Sequence, residues 1–309
     1  MAITLIIKPY QLLEGDTIGI LSPSFVLKQE VIQPSLEKLK EKGFKIKIAN
    51  NAFKDTYGYS ATPEERAQDF NSMIADKDVK MLLFGGGEVC NEILPLLDFS
   101  LISKNPKIIC SYSDSTTVLN AITMLSGVVT FYGQSLRTFL DLTDYNYQCF
   151  QSAFCNNSIS VFCSNSKWDT IREGKCEGIL IGGYLANFAL MINGSYFKYD
   201  SCGKYILFIE DDIRYSLPAV VSKYFSHIEQ SGLMNCITGL IFGHYSDETS
   251  PILNDILTRL SSKYNIPTIK CDDFGHGVNN AIIPIGINAE IDTRRFSLSF
   301  NQYFVNHAQ

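Results

Sequence analysis

Four short stretches of this chain carry residue types that could do chemistry together. The first is Ser111-Tyr-Ser-Asp-Ser. It follows the short apolar run Ile108 to Cys110 and precedes apolar residues at helical spacing, Val118, Leu119, Ile122 and Met124. That pattern predicts strand, sharp turn and helix. A serine on such a turn stands above the end of a sheet with helix N–H groups beneath it, the geometry of a nucleophile elbow. Ser113 is the candidate nucleophile. Its neighbours Ser111 and Ser115 are small, but they are not the glycines of the Gly-x-Ser-x-Gly pattern. A plain helix N-cap is the competing reading of these serines.

The second stretch is Gly85-Gly86-Gly87, after the apolar run Val79 to Phe84. Glycines let backbone N–H groups come close to an oxyanion or a phosphate. The dinucleotide spacing and the P-loop lysine are both missing, and a tight strand-to-helix turn explains the glycines equally well. The third is Tyr205-Ile-Leu-Phe-Ile-Glu, apolar until it turns acidic at Glu210. A carboxylate there could orient an imidazole. Asp211 and Asp212 compete for that role, and a solvated acidic turn is the bland alternative. The fourth is His276 between Gly275 and Gly277, where the imidazole is accessible and the loop adaptable. The chain has four histidines, His227, His244, His276 and His307. His244, after Gly243, is the rival. The order Ser, Glu, His matches that of α/β-hydrolase triads, but triads recur on unrelated folds, so order alone decides little.

Alternating elements must position these residues. Strands are predicted in Asp16-Thr-Ile-Gly-Ile-Leu-Ser-Pro-Ser, ending in its Ser-Pro turn, and at Lys45 to Ala49, Val79 to Phe84, Ile108 to Cys110 and Val128 to Tyr132. Helices are predicted from Val31 to Lys42, from Thr62-Pro63-Glu-Glu to about Ala75, and from about Glu88 to Leu97. Between Arg137 and Ser166 the periodicity fades into polar and aromatic sequence. A second β/α region follows, with strands at Gly178 to Ile181 (breaking at Gly182-Gly183), Tyr205 to Ile209, Ile237 to Phe242 and Ile266 to Ile269. Its helices are Leu185 to Ile192, Leu217 to Gln230 and Ile252 to Tyr264, and Ala281 to Phe300 is β-rich. The expected fold class is α/β. Its parts are a first domain at 1–140, a connection at 141–173 and a second domain at 174–309.

The 309 residues are 46% hydrophobic and 19% charged, and mean hydropathy is +0.04. That describes a globular chain with an ample core. A net charge of −6 and the lack of a basic run argue against a nucleic-acid partner. No run approaches the ~18 apolar residues of a membrane span. Met1 to Leu13 lacks the parts of a signal peptide. Nine scattered cysteines form no Cys-x-x-Cys pair or zinc spacing and read as reduced, buried thiols of a cytoplasmic protein.

Taken together, the motifs resemble the serine peptidase family of LD-carboxypeptidases, which includes the microcin C self-immunity branch. They are Gly15-Asp-Thr-Ile-Gly-Ile-Leu-Ser-Pro-Ser, Pro63-Glu-Glu-Arg-Ala-Gln-Asp-Phe, Gly85-Gly86-Gly87, Leu94-Pro-Leu-Leu-Asp-Phe, and Asn105-Pro-Lys with Tyr112-Ser-Asp-Ser-Thr. Later come Thr130-Phe-Tyr-Gly, Gly182-Gly183, Leu207-Phe-Ile-Glu-Asp, Gly239-Leu-Ile-Phe-Gly, and Gly275-His-Gly with Ile283-Pro-Ile-Gly. The resemblance implies an N-terminal Rossmann-like parallel sheet and a C-terminal β-rich α/β domain, with the active site between them. It implies Ser113 as nucleophile, His276 as base and then acid, and Glu210 as its orienting carboxylate. Gly86, Gly87 and the N–H of Asp114 are the implied oxyanion donors. It implies a small peptide or peptidyl-nucleotide substrate, no metal or organic cofactor, and a homodimer. The reaction would be cleavage of the L,D-amide before the terminal D-alanine of murein tetrapeptides, or of an aminoacyl-nucleotide-like toxin. In the latter case Trp168 is a candidate to stack on a nucleobase, against the alternative of a partly buried surface aromatic. The chain departs from the family pattern at Phe84, Ser111, Gln134 and Tyr184, positions expected to line or support the pocket. A non-catalytic binding protein on the same fold is the remaining alternative, and an intact Ser113, Glu210 and His276 speak against it.

Overall fold

The computed structural model describes residues 6–156, 161–212, 217–246 and 251–304. His307 lies outside them. The first sheet has strands β1 (Thr17–Leu21), β2 (Lys45–Ile48), β3 (Val79–Phe84), β4 (Ile108–Ser111) and β5 (Thr130–Tyr132). These five run parallel in the order β5-β4-β3-β1-β2. β1, β3 and β4 are nearly continuous apolar runs because helices cover both their faces. The connecting helices are α1 (Gln29–Glu41), α2 (Pro63–Ala75), α3 (Phe99–Lys104) and α4 (Thr116–Ser126). α2 starts as its sequence predicts, with Thr62 and Glu65 capping each other's backbone N–H groups and Pro63 in the first turn. The stretch expected to be helical from Glu88 is a 3-10 segment, Cys90–Leu96, followed by α3. Pro95 sits inside it and cannot donate to a longer α-helix.

α4 carries the chain away from the elbow. Ten of its eleven residues are buried, so it is covered on all sides, as expected of a helix held between two layers. One side faces the first sheet. The other meets strand β7 (Lys175–Tyr184), where Asn120 Nδ2 donates to the Gly182 carbonyl at 2.8 Å and the Tyr184 N–H donates to Thr116 Oγ1 at 2.9 Å.

The fading region is more ordered than its sequence suggests. It forms α5 (Asp144–Phe150) and a π-turn at Gln151–Cys155, and just beyond it lies β6 (Asp169–Arg172). The second sheet has the order β13-β12-β7-β8-β9-β10-β6. Its parallel centre is β7, β8 (Tyr205–Glu210), β9 (Ile237–Phe242) and β10 (Thr268–Lys270). The antiparallel margins are β6, β12 (Asn288–Asp292) and β13 (Ser297–Phe300). α6 (Leu185–Met191), α7 (Pro218–Gln230) and α8 (Pro251–Tyr264) pack around it. The strand expected to break at Gly182-Gly183 continues to Tyr184, because β8 pairs with it residue for residue up to Tyr184 opposite Glu210.

One late strand, β11 (Ile283–Ile285), returns to the first sheet and runs antiparallel to β5. The loop carrying His276 therefore leaves from β10 in one sheet and lands on β11 in the other. Among the described residues no helix is long and apolar enough to cross a membrane.

Candidate active site

Ser113 stands just beyond β4 at a φ of +63°. The left-handed region is uncommon for a residue with a Cβ, and such outliers concentrate at functional sites. The surroundings fix the conformation. Thr116 Oγ1 donates to the Ser113 carbonyl at 2.6 Å. The buried Asp114 carboxylate accepts from Ser24 Oγ at 2.6 Å, the Cys90 N–H at 2.9 Å and Asn187 Nδ2 at 2.8 Å. One side chain thus ties the elbow to the end of β1, to the segment after the glycines and to α6 of the second domain.

His276 Nε2 lies 2.9 Å from Ser113 Oγ, and His276 Nδ1 lies 2.8 Å from Glu210 Oε2. The Glu210 side chain is fully buried. It also accepts the His276 backbone N–H at 3.2 Å and the Tyr132 hydroxyl. The imidazole sits between the rings of Tyr112 and Tyr184, with centroids 5.2 and 4.9 Å away. Burial is the largest influence on its charge and opposes protonation. The adjoining Glu210, with Asp212 and Asp211 behind it, outweighs that and holds His276 above its ordinary pKa. Asp211 points elsewhere. Burial, reinforced by the neighbouring Glu210, pushes its pKa up to about 8, and among the described residues its Oδ2 has no hydrogen-bond partner.

The three sequence-selected groups Ser113, Glu210 and His276 therefore meet in one relay. His244 does not reach Ser113. Its Nδ1 pairs with Asp272 Oδ1 at 2.5 Å on another wall of the same cavity. Gly86 lies against Ser113, since a Cβ built on it would be 3.7 Å from Ser113 Oγ. Gly87 sits one step away, where a Cβ would run into Ser24 Oγ and Phe25. Asp114 occupies the first turn beneath Ser113, where N–H groups point toward incoming negative charge.

The relay opens into a cavity of about 1030 Å³. Arg137, Glu88, Asp141 and Asp212 are among its charged lining residues. Of the family departures, Tyr184 faces the cavity. Ser111 is buried below, donating to the Phe84 carbonyl at 2.9 Å, and Phe84 is a core ring of β3 against Phe70. Gln134 is buried and donates to the carbonyls of Asn146 at 2.6 Å and Asn280 at 3.0 Å, so it supports two cavity residues from behind. Trp168 is buried, its indole N–H donates to Asp273 Oδ2 at 2.6 Å, and it lies outside the cavity wall. Sequence reasoning passed over Tyr132, Ser24 and Asn187. Tyr132 and Ser24 stood inside recognised motifs, so their signal was present. Asn187 had none.

Among the described residues no cluster of three or more His, Cys, Asp or Glu side chains could hold a metal ion. All nine cysteines are free, and Cys163 and Cys202 are exposed, which corrects the expectation of uniformly buried thiols.

Residues 18–133 match the model of the LD-carboxypeptidase N-terminal domain, and residues 177–291 match that of the C-terminal domain. A probable murein peptide carboxypeptidase of Bacillus subtilis is 30% identical over 297 residues, 93% of this chain and 92% of that one. This chain belongs to the LD-carboxypeptidase family. The LD-carboxypeptidase fold and serine-peptidase class therefore apply to it. The microcin C7 self-immunity protein MccF of Escherichia coli is 28% identical, with 94% of this chain and 95% of MccF covered. The solved structure of MccF with aspartyl sulfamoyl adenosine superposes with a TM-score of 0.85 at 26% identity, covering 97% of this chain and 100% of that one.

Proposed function

We propose that the protein is a serine carboxypeptidase that hydrolyses the L,D-amide before the terminal D-alanine of murein tetrapeptides, in cytoplasmic recycling of cell-wall peptides. The observation that carries the reading is the unbroken relay Ser113 Oγ, His276 Nε2, His276 Nδ1, Glu210 at one end of the cavity. His276 takes the Ser113 proton and the alkoxide attacks the scissile carbonyl. The backbone N–H groups of Gly86, Gly87 and Asp114 hold the developing oxyanion. His276 then protonates the leaving amine, and a water activated by the same imidazole releases the acyl group. Glu210 keeps the imidazole in the tautomer that leaves Nε2 free to accept.

The charges of the cavity support a peptide with a free carboxyl end. Arg137 is exposed at its wall, and among the described residues no carboxylate pairs with it. It is the natural partner for a terminal carboxylate. Glu88, Asp141 and Asp212 suit the free amine of a diamino acid. In this reading residues 1–140 supply the nucleophile and 174–309 the histidine and its carboxylate, joined by 141–173.

A second reading is an MccF-like peptidase acting on aminoacyl-nucleotides. Its support is the likeness to MccF bound to aspartyl sulfamoyl adenosine and the aromatic wall of Phe25, Tyr112, Tyr184 and Tyr224, on which a base could stack.

Mass spectrometry on two substrates tests both readings. One is L-Ala-γ-D-Glu-meso-diaminopimelyl-D-Ala, the other an aminoacyl sulfamoyl adenosine. Release of D-alanine by the wild type and its loss in Ser113→Ala is the expected result. Cleavage of the nucleotide compound alone would transfer the protein to the second reading. Full turnover by Ser113→Ala would remove the nucleophile assignment.

A further inference from the structure

We propose that the Tyr132 hydroxyl is a positioning group that holds the Glu210 carboxylate and the backbone of Ser113 in one fixed relation. The proposal rests on the triad reading above and adds a fourth residue to it.

Tyr132 ends β5, and its neighbour across the ladder is Ser111, two residues before the nucleophile. The ring is fully buried, against Phe208 of β8 at 5.6 Å and Tyr112 at 6.5 Å. Its oxygen makes two hydrogen bonds. It accepts the Ser113 backbone N–H at 3.1 Å and donates its proton to Glu210 Oε1. A hydroxyl can do both at once because it carries one proton and two lone pairs. Ser113 lies beyond the end of β4, so the sheet offers its N–H no acceptor. Burial, followed by the nearby Glu210 charge, holds the phenol pKa well above its ordinary value, so the hydroxyl stays a donor.

The two partners come from different domains. Ser113 follows β4 of the first sheet, and Glu210 ends β8 of the second. Among the described residues, the remaining hydrogen bonds to Glu210 come from His276 itself, through Nδ1 and the backbone N–H. Tyr132 is therefore the anchor that ties this carboxylate to the nucleophile's own domain. It sets where Glu210 sits relative to Ser113, and so where His276 can stand between them.

The hydroxyl also shares the carboxylate charge. With that donor removed, more of the Glu210 charge rests on His276 and stabilises the imidazolium. The other titratable groups around His276 stay in place. They are Asp211 and Asp212 after β8, Tyr112 beside the elbow and Tyr184 at the end of β7. His244, Asp272 and Arg137 on the cavity wall also remain. Activity needs a neutral His276, so the acid limb of the pH–rate profile moves to higher pH in Tyr132→Phe.

The test is labelling of the full chain by a fluorophosphonate probe, which reads serine reactivity without knowledge of the substrate. Rates are measured from pH 5 to 9 for the wild type, Tyr132→Phe and Ser113→Ala. Expected is a Tyr132→Phe rate lower by on the order of tenfold at the optimum, with the acid limb moved up by roughly half a unit. An unchanged rate, or a slower rate with an unmoved limb, would reduce Tyr132 to core packing. Labelling of Ser113→Ala at the wild-type rate would sink the triad reading itself, a different failure. Should Tyr132→Phe not fold, 3-fluorotyrosine at position 132 serves instead. It is a stronger donor, so the limb must move down, and a limb that stays put or rises overturns the proposal.

Discussion

Two histidine–carboxylate pairs share the walls of one cavity, and they differ in what lies around them. In the first, His276 joins Glu210 on one side and Ser113 on the other. In the second, His244 joins Asp272, and among the described residues no serine bonds to its other ring nitrogen. The Glu210 side chain is wholly buried, whereas that of Asp272 is 38% exposed. The chemical groups are nearly the same, so identity of the side chains does not make a general base. A buried carboxylate with a full set of donors keeps its direction and strength. An exposed one is weakened by water. The loop 275–277 separates the two pairs physically. A Cβ on Gly275 would lie 2.5 Å from Glu210 Oε2, and one on Gly277 would lie 2.7 Å from His244 Nδ1. Each glycine beside His276 presses on one pair.

The largest expected difference between the pairs is in rate. His276→Ala should lower kcat/KM by on the order of 10⁴-fold, as loss of a triad member does. His244→Ala should cost less than about tenfold, through the cavity wall alone. Steady-state assay of both variants checks this, and a reversed order would move the base to His244. The glycines sharpen the contrast. Gly275 has a φ of +103° and no room for a methyl, so Gly275→Ala must displace Glu210. A shift of ~1 Å at a reacting group can cost on the order of 10²-fold. Gly277→Ala displaces the second pair and should cost only a few-fold. Equal losses in the two variants would mean that the pairs are coupled.

How much of this was legible beforehand follows from the kind of signal each residue gave. Ser113 was marked by the run of strand, turn and helix around it, and Glu210 by an apolar strand that turns acidic at its last residue. Those are local patterns, and the fold kept them. The choice between His276 and His244 was not local. Both follow glycine near a strand end, and only the return of β11 to the first sheet brings one loop over the elbow. The glycines flanking His276 were noticed, but for accessibility. Their actual role is close approach, which depends on partners 33 and 65 positions away in sequence (Gly277 to His244 and Gly275 to Glu210). Tyr132 lay within a recognised motif and still read as an ordinary strand residue, because its hydroxyl acts across the domain boundary. The stretch after Arg137 looked structureless since α5 is only two turns long and its apolar face is set by tertiary packing.

Asp211 is a third carboxylate at this site, next to Glu210 in sequence and without a histidine, so it isolates what pairing contributes. In the folded protein burial holds its pKa up to about 8, against an ordinary value of 3.8. Between those values the unfolded chain has lost the proton while the folded chain keeps it. Stability therefore falls as pH rises from about 4 to about 8 and levels off above that. Asp211→Asn carries no charge and retains the Oδ1 that accepts the Asp212 N–H at 2.9 Å. Its buried amide is left short of acceptors, which costs about 1–3 kcal/mol. The net gain should be about 3–5 kcal/mol at pH 9 and turn into a loss of about 0.5–2.5 kcal/mol at pH 4. Urea denaturation of both proteins at the two pH values measures it. A gain independent of pH would mean that Asp211 is ionised in the folded state, and that a buried carboxylate at the end of β8 needs no histidine to stay charged.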